Sequence, residues 1–489
     1  MRATLTLLCR LLLRIFFRRV EAVGAQRVPS DRDRVQGSGP SPDPRAALGP
    51  ELQAERDTTP VLYVLNHPNA LLDPLFILCM SPRPVTFLAK APLFSTVVVK
   101  HFVRAFECLP VYRKQDGADT SKNRASIEAS IALLGSGKAL ALFPEGISHS
   151  GPKLAPLKTG AARIALAASA SPSPSPSPSS APNSQTPEPV RIVPVGICYD
   201  DKTRFRSDAL LVYGEPLTTP QVELDERARP PEAAAEALTA RITAALEEVT
   251  LSAQTHEAVT LARSAARILA AAERDAGDDP PQPDPLAGFD LERRLVAGYE
   301  QLCAREPGRV ARVVARVRRF EGELARLGVA VDHPPRLARR RAARYTLGRL
   351  LSLTLLLGPA VVGLTTHFVP YRVIDWLAHR VAREQSPDGT GEDVLATLKL
   401  IGGFLLFPLT WFLLALALGF AHSWRVAGVG LVAAPLSGYA ALRFIELLTD
   451  FIDRARGAWV LATRRDVGRY LASERAAIRA EIISLANRL

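Results

Sequence analysis

Apolar residues fall along the chain in three regimes. Up to about residue 220, short apolar runs are separated by polar turns. From 221 to 346 they recur at helical spacing in Ala-, Arg- and Glu-rich sequence, and after that they merge into stretches of twenty or so residues. In the first regime VLYVLNH reads as a buried strand, LLDPLFILCM as the start of a helix, VTFLA as a strand, and KALALFPEG as a strand ending in a turn. RIVPVGI and ALLVYGEPL add two more strands. Unbroken Val, Leu and Ile runs suit strands buried on both faces. Strands alternating with helical runs predict an α/β domain over residues 20–220, with a largely parallel or mixed sheet flanked by helices. Its site is expected in the loops after the carboxyl ends of the strands.

Two segments interrupt this domain. Residues 30–58 are charged and rich in Pro, Gly and Ser, and residues 171–189 read SPSPSPSPSSAPNSQTPEP. Both compositions predict flexible surface inserts, the second at a loop tip between a helix and a strand. Before the domain, residues 1–19 carry an apolar run broken by Arg10 and Arg14, with Arg18 and Arg19 after it and no A-x-A cleavage site. That pattern predicts an amphipathic helix at a membrane interface, with a helix packed on the domain as the alternative.

The helical region over 221–346 carries no recognisable chemistry, and PPQPDP at 280–285 marks a turn inside it. The membrane region is expected over 347–447. Leu350 to Val369 contains twenty residues without a formal charge and Ile401 to Ala421 twenty-one, each enough to cross a hydrocarbon layer about 30 Å thick. Val426 to Leu442, Gly-rich and seventeen residues long, is a weaker third candidate, so two or three spans are predicted. A basic helix is expected over 448–489. The arginines of RLARRRAAR, residues 336–344, place the amino-terminal side of the first span in the cytoplasm. An integral membrane protein with its α/β domain on the cytoplasmic side is therefore expected.

The net charge of +12 calls for an anionic partner, which could be nucleic acid, an anionic lipid surface or a phosphorylated substrate. Much of the excess is arginine scattered through Ala-rich helices, so no nucleic-acid partner is expected. The five cysteines are odd in number, widely spaced and without a CxxC pair, which predicts reduced structural thiols.

Candidate chemistry concentrates in two stretches. In VLYVLNHPNALLDPLFIL, His67 follows an apolar strand and Asp73 comes six positions later, at the start of an apolar helix. A histidine that is to act as a base needs an acceptor for its Nδ1 hydrogen, which leaves Nε2 to take a proton, and Asp73 can be that acceptor. In KALALFPEGISHSG the strand ends in Pro144, Glu145 and Gly146, where the glycine permits a tight turn that holds Glu145 at the pocket edge. Lys158, in PLKTGAARIAL, falls at a helix start, where a cation and free N–H groups make a phosphate site. Arg113, after CLPVY, is a second candidate phosphate anchor.

Taken in order, Asn66–Asp73 (NHPNALLD), Val111–Arg113 (VYR), Phe143–Gly146 (FPEG) and Ile192–Val195 (IVPV) resemble the four sequence blocks of the glycerolipid (PlsC-like) acyltransferases, over about residues 55–217. Most of that family has four residues between the histidine and the aspartate; this chain has five. The fungal-type glycerol-3-phosphate and dihydroxyacetone-phosphate acyltransferases resemble it further, sharing HxNxxxDP, FPEG with a following SH, and PLK-x-G where they have LPLK-G and this chain has APLKTG, and a similar layout of helices and spans. The resemblance implies a phospholipid-building enzyme with His67 as general base, Asp73 as its orienting partner, and Arg113, Glu145 and Gly146 around the acceptor, with Ser148, His149 and Lys158 as further acceptor-binding residues. It also implies acyl-CoA or acyl-acyl carrier protein as co-substrate, no cofactor, and a small phosphorylated acceptor: glycerol 3-phosphate or dihydroxyacetone phosphate, with lysophosphatidic acid as the alternative. Two other classes compete. A metal-dependent hydrolase could ligate a metal through His67 and Asp73, but no third ligand shows the spacing, and a noncatalytic membrane scaffold would leave the four blocks without a purpose.

Overall fold

The computed structural model describes residues 2–29, 59–95, 99–112, 123–170, 188–202, 204–276, 284–331, 339–385 and 392–488. Arg113 and the core of both inserts lie outside them. The described chain forms two compact units, Met1–Leu251 with Glu392–Ala396, and Ser252–Gly391 with Thr397–Leu489.

The first unit is built on one sheet. Its strands are β1 (Arg19–Val23), β2 (Val61–Leu65), β3 (Val85–Lys90), β4 (Leu109–Val111), β5 (Ala139–Leu142), β6 (Arg191–Tyr199), β7 (Asp208–Tyr213) and β8 (Leu217–Thr218). They lie in the order β1-β7-β6-β2-β5-β3-β4, with β8 added against β6. Neighbours run parallel except β6 with β7 and with β8, so the sheet is mixed and mostly parallel. All five residues of the central strand β2 are buried, as the unbroken run VLYVL requires. The strand β1 was not legible in the sequence, because RVEAV carries two charges in five residues and sits on the sheet edge.

Helices α1 (Arg2–Phe16), α2 (Leu72–Met80), α3 (Val99–Ala105), α4 (Asn123–Gly135), α5 (Gly160–Ser169) and α6 (Glu232–Val249) flank the sheet. The connections β2-α2-β3 and β3-α3-β4 step one way across the strand order, and β4-α4-β5 and β5-α5-β6 step the other way. Right-handed crossovers then put α2 and α3 on one face and α4 and α5 on the other. The helix contacts follow this division: α1 packs on α2 and α3, while α5 packs on α4 and α6. Helix α1 buries Cys9, Leu13 and Phe16 while Leu7, at 68% exposure, and Leu11, at 52%, face outward. Arg10 donates to the Cys79 carbonyl at 3.1 Å.

The second unit is helical: α7 (His256–Ala276), α8 (Pro285–Arg305), α9 (Pro307–Leu327), α10 (Arg339–Gln385), α11 (Glu392–Ala421), α12 (Trp424–Thr463) and α13 (Arg465–Ala486). Ile268, Val317, Phe320, Leu324, Leu471 and Ile478 pack α7, α9 and α13 together. Arg475, fully buried, pins α13 to α7 through Asp275 at 2.8 Å. Among the described residues three helices are long and apolar enough to cross a membrane: Ala343–Glu384, Leu395–Ala421 and Trp424–Thr463. The weak candidate at 426–442 thus lies inside a 40-residue helix. Large apolar side chains such as Leu355, Phe412 and Val429 point outward, and small ones face inward. A Cβ on Gly363 of α10 would lie 2.0 Å from the Ser437 carbonyl oxygen of α12. This inverted pattern is that of helices packed in lipid, where backbones approach through small residues.

Candidate active site

The sheet reverses its winding direction between β2 and β5. Their neighbouring carboxyl ends lead to α2 and α5 on opposite faces, and a crevice opens where such loops part. His67 lies two residues after β2 and Glu145 three residues after β5. Two stretches 78 residues apart in sequence therefore meet at one end of the sheet.

His67 Nδ1 lies 2.8 Å from Asp73 Oδ2. The Asn69 N–H donates to the same oxygen at 2.7 Å, and the Tyr199 hydroxyl donates to Oδ1 at 2.6 Å. Asp73 is wholly buried, and its start-of-helix position favours a negative charge. With Nδ1–H directed to the carboxylate, Nε2 is the ring nitrogen left to accept a proton. The extra residue between His67 and Asp73 is taken up in a turn in which Ala70 has φ of 32° and the Leu72 N–H donates to the Asn69 carbonyl at 3.0 Å. The imidazole also stacks on Phe143, with ring centroids 3.9 Å apart and planes within 9°. Asn66 anchors the loop base by exchanging hydrogen bonds with the Ile197 backbone, at 2.7 and 3.1 Å.

Glu145 is 2% exposed and its carboxylate is fully engaged in holding loops. Oε1 accepts from the His67 N–H at 2.9 Å, and Oε2 accepts from the Ala155 N–H at 2.7 Å and pairs with His149 Nε2 at 2.5 Å. The His149 N–H in turn donates to the His67 carbonyl at 3.1 Å. Gly146 has φ of 73°, and a Cβ there would meet Lys158 Nζ at 2.5 Å. The glycine therefore serves both the left-handed turn and the close approach of the lysine. The Lys158 N–H donates to the Pro144 carbonyl at 2.9 Å, which seats the lysine beside the FPEG turn and two residues before α5.

The predicted residues His67, Asp73, Glu145, Gly146, His149 and Lys158 thus gather at the carboxyl ends of β2 and β5, and Ser148 lies in the same FPEG-to-His149 loop. Arg113 falls outside the described residues. Sequence reasoning missed Tyr199, and it quoted Asn66, Asn69 and Phe143 within the NHPNALLD and FPEG blocks without giving them a role. Tyr199 was hidden because its role depends on strand register: Leu65 at the end of β2 pairs with Val195, and β6 runs four residues further, carrying Tyr199 over Asp73. Burial first, and then the charge of Asp73, push the Tyr199 hydroxyl well above its ordinary pKa, so it stays a donor. Among the described residues no group of three or more His, Cys, Asp or Glu could hold a metal ion.

Comparison with known proteins divides the chain into two matched parts. Residues 19–198 match the Acyltransferase family, and residues 284–489 match the family described as the Glycerol-3-phosphate acyltransferase 2 C-terminal domain. An uncharacterized acyltransferase of Schizosaccharomyces pombe is 27% identical over 376 residues, covering 72% of this chain and 52% of that protein. Glycerol-3-phosphate O-acyltransferase 2 of Saccharomyces cerevisiae is 27% identical over 280 residues, covering 55% of this chain and 35% of that protein. Glycerol-3-phosphate O-acyltransferase 1 of the same yeast is 26% identical over 287 residues, covering 56% and 34%. The chain spans about half or less of the length of these relatives. Among solved structures, the 1-acyl-sn-glycerophosphate (LPA) acyltransferase PlsC from Thermotoga maritima aligns at 18% identity and a TM-score of 0.30, over 49% of this chain and 75% of that one, a likeness too loose to bear on the site.

Proposed function

From the match of residues 19–198 to the Acyltransferase family and of residues 284–489 to the Glycerol-3-phosphate acyltransferase 2 C-terminal domain, we propose a membrane-bound enzyme that acylates glycerol 3-phosphate or dihydroxyacetone phosphate. The observation that carries this reading is the Asp73-oriented imidazole of His67, set at the winding reversal of the sheet beside the FPEG turn. The acyl donor is a thioester of coenzyme A or acyl carrier protein, and its carbonyl is already activated.

His67 Nε2 takes the proton of the acceptor hydroxyl as that oxygen attacks the thioester carbonyl, forming a C–O bond. The imidazolium is stabilised by Asp73, and collapse of the tetrahedral intermediate breaks the C–S bond, the proton passing from Nε2 to the leaving thiolate. Neither step requires an acyl-enzyme. General-base help supplies roughly 10²–10⁴-fold, so positioning and stabilisation of the oxyanion provide the rest. Lys158, beside the amino terminus of α5, is the cation suited to the acceptor's phosphate, with Arg113 as its partner. Glu145 and His149 act by fixing the loops that present these groups.

The three long apolar helices anchor the enzyme in a bilayer, and the arginines of residues 336–344 put the catalytic domain on the cytoplasmic side. The test is an acceptor panel with radiolabelled acyl-CoA and purified protein. Glycerol 3-phosphate or dihydroxyacetone phosphate should be acylated in preference to lysophosphatidic acid. Turnover of the lysolipid alone would reassign the acceptor, and turnover of none would remove the enzyme.

A further inference from the structure

We infer that Tyr199 is a positioning residue of the reaction, the third member of a Tyr199–Asp73–His67 chain that fixes the carboxylate orienting the base. The inference rests on the proposed role of His67. Asp73 has no exposed surface, so its two oxygens depend on protein donors. The His67 ring and the Asn69 N–H both meet Oδ2, at 2.8 and 2.7 Å. On Oδ1, Tyr199 supplies a bond of 2.6 Å. With both oxygens held, the carboxylate plane is fixed, and so is the direction in which Oδ2 receives the Nδ1 hydrogen.

The phenol is itself held in place. Its ring packs against Phe17 at 5.8 Å and Phe76 at 5.7 Å between centroids, and its backbone pairs with Ala209 in the β6–β7 ladder. Phe76 lies on α2, the helix that carries Asp73, so the strand holding the hydroxyl and the helix holding the carboxylate are packed as one body. Tyr199 is 126 residues from Asp73 in sequence, and it brings a third strand, β6, into a site otherwise made by β2 and β5.

The experiment is Tyr199→Phe, which keeps the ring packing, measured beside His67→Ala and the double variant in the full chain with radiolabelled acyl-CoA and glycerol 3-phosphate. The single change should lower kcat roughly 10- to 100-fold, the worth of one hydrogen bond to a charged group, with both KM values within about three-fold of the parent. Tyr199→Phe should add nothing to His67→Ala in the double variant, because both act through one base. Wild-type kcat in Tyr199→Phe, while His67→Ala is inactive, would overturn the inference and leave the enzyme assignment standing. A further ten-fold loss in the double variant would overturn it too, by giving the phenol a role outside the chain. Full turnover by His67→Ala would instead remove the proposed base, and the inference with it.

Discussion

The main-chain N–H of His67 donates to Glu145 Oε1 across 2.9 Å, and this one bond fastens the loop after β2 to the loop after β5. The same carboxylate takes the Ala155 N–H and the His149 ring, so it is the hub around which the catalytic loop, the FPEG turn and the approach to α5 are arranged.

Glu145→Ala should consequently act on stability before it acts on chemistry. It strands three donors, two of them main-chain N–H groups, of which the His67 N–H is buried and the other two partly buried. Unsatisfied buried groups cost about 1–3 kcal/mol each, so a loss of about 3 kcal/mol is expected for the first unit. Thermal unfolding followed by intrinsic fluorescence measures it. Glu145→Gln, which keeps one acceptor oxygen, should lose less than half as much, and equal losses would assign the effect to packing rather than to the hydrogen bonds.

For the proposed base, His67→Ala should lower kcat by roughly 10²–10⁴-fold with a folded but somewhat less stable protein, since the ring is buried against Phe143 and its loss leaves Asp73 one donor short. Asp73→Asn should approach the same loss, because an amide can present a donor to Nδ1 and force the wrong tautomer. A steady-state assay decides both. An Asp73→Asn variant with parental kcat would show that the 2.8 Å contact to His67 is incidental to catalysis.

Much of this arrangement was legible in the sequence, and the boundary of legibility has a physical cause. The apolar runs at VLYVL, ALAL and RIVPVGI are local signals, because a strand buried on both faces must be apolar throughout, and the His67–Asp73 and FPEG groupings are local too. Glu145 was placed at a pocket edge, a position its residue type and turn could announce. Its hub role could not be announced, because it depends on β2 and β5 being neighbours although β3 and β4 intervene in the chain. Tyr199 was illegible for a similar reason: nothing near it in sequence shows that β6 outruns β2 by four residues. Helix α6 was likewise grouped in sequence with the Ala-rich helices that follow. The structure places it in the first unit, where the Val249 carbonyl closes over Gly196 of β6.

Gly146→Ala tests the seat of Lys158, the lysine proposed to bind the acceptor's phosphate. A methyl group at this position would stand 2.5 Å from Lys158 Nζ on a backbone with φ of 73°, so the side chain must leave and the turn is strained. The KM for glycerol 3-phosphate should rise roughly ten-fold, equivalent to about 1.4 kcal/mol, and the acyl-CoA KM should stay within about two-fold. Lys158→Ala should reproduce the pattern, with Arg113→Ala as the companion change. If these variants raised only the acyl-CoA KM, the cations would serve the phosphates of the thioester carrier.

In the second unit, Gly363→Leu should separate α10 from α12. The two helices touch where the glycine faces the Ser437 carbonyl and Ala441, and a leucine cannot be accommodated without moving one backbone. Detergent-solubilised protein should show lower yield and a lower unfolding temperature, whereas Gly358→Leu, at a position where a Cβ meets nothing within 4 Å, should be tolerated. Equal losses at both glycines would mean that the contact between Gly363 and Ser437 does not decide, since leucine is the better helix former at either position.

The Ser-Pro insert offers the sharpest test of what the domain can do without. Helix α5 ends at Ser169 and β6 begins at Arg191, and the two ends are tied directly: the Val190 N–H donates to Ser169 Oγ at 2.9 Å. Ser169 is wholly buried, and its hydroxyl also donates to the Ala165 carbonyl at 2.8 Å, so the tie is fixed on the α5 side. Val190 is buried as well, and its carbonyl accepts from both the N–H and the hydroxyl of Thr219. Both anchors are therefore set by contacts that do not involve residues 171–187. A short connection suffices to join ends this close, and αβ loops of about 2–6 residues are common. Replacing residues 171–187 by about four Gly and Ser residues should keep kcat and both KM values within a few-fold of the parent. It should also leave thermal stability unchanged or slightly raised, because a shorter loop loses less entropy on closure. Loss of folding in that variant would show that the insert packs on the domain. A selective rise in one KM with the fold intact would place the insert at the mouth of the active site.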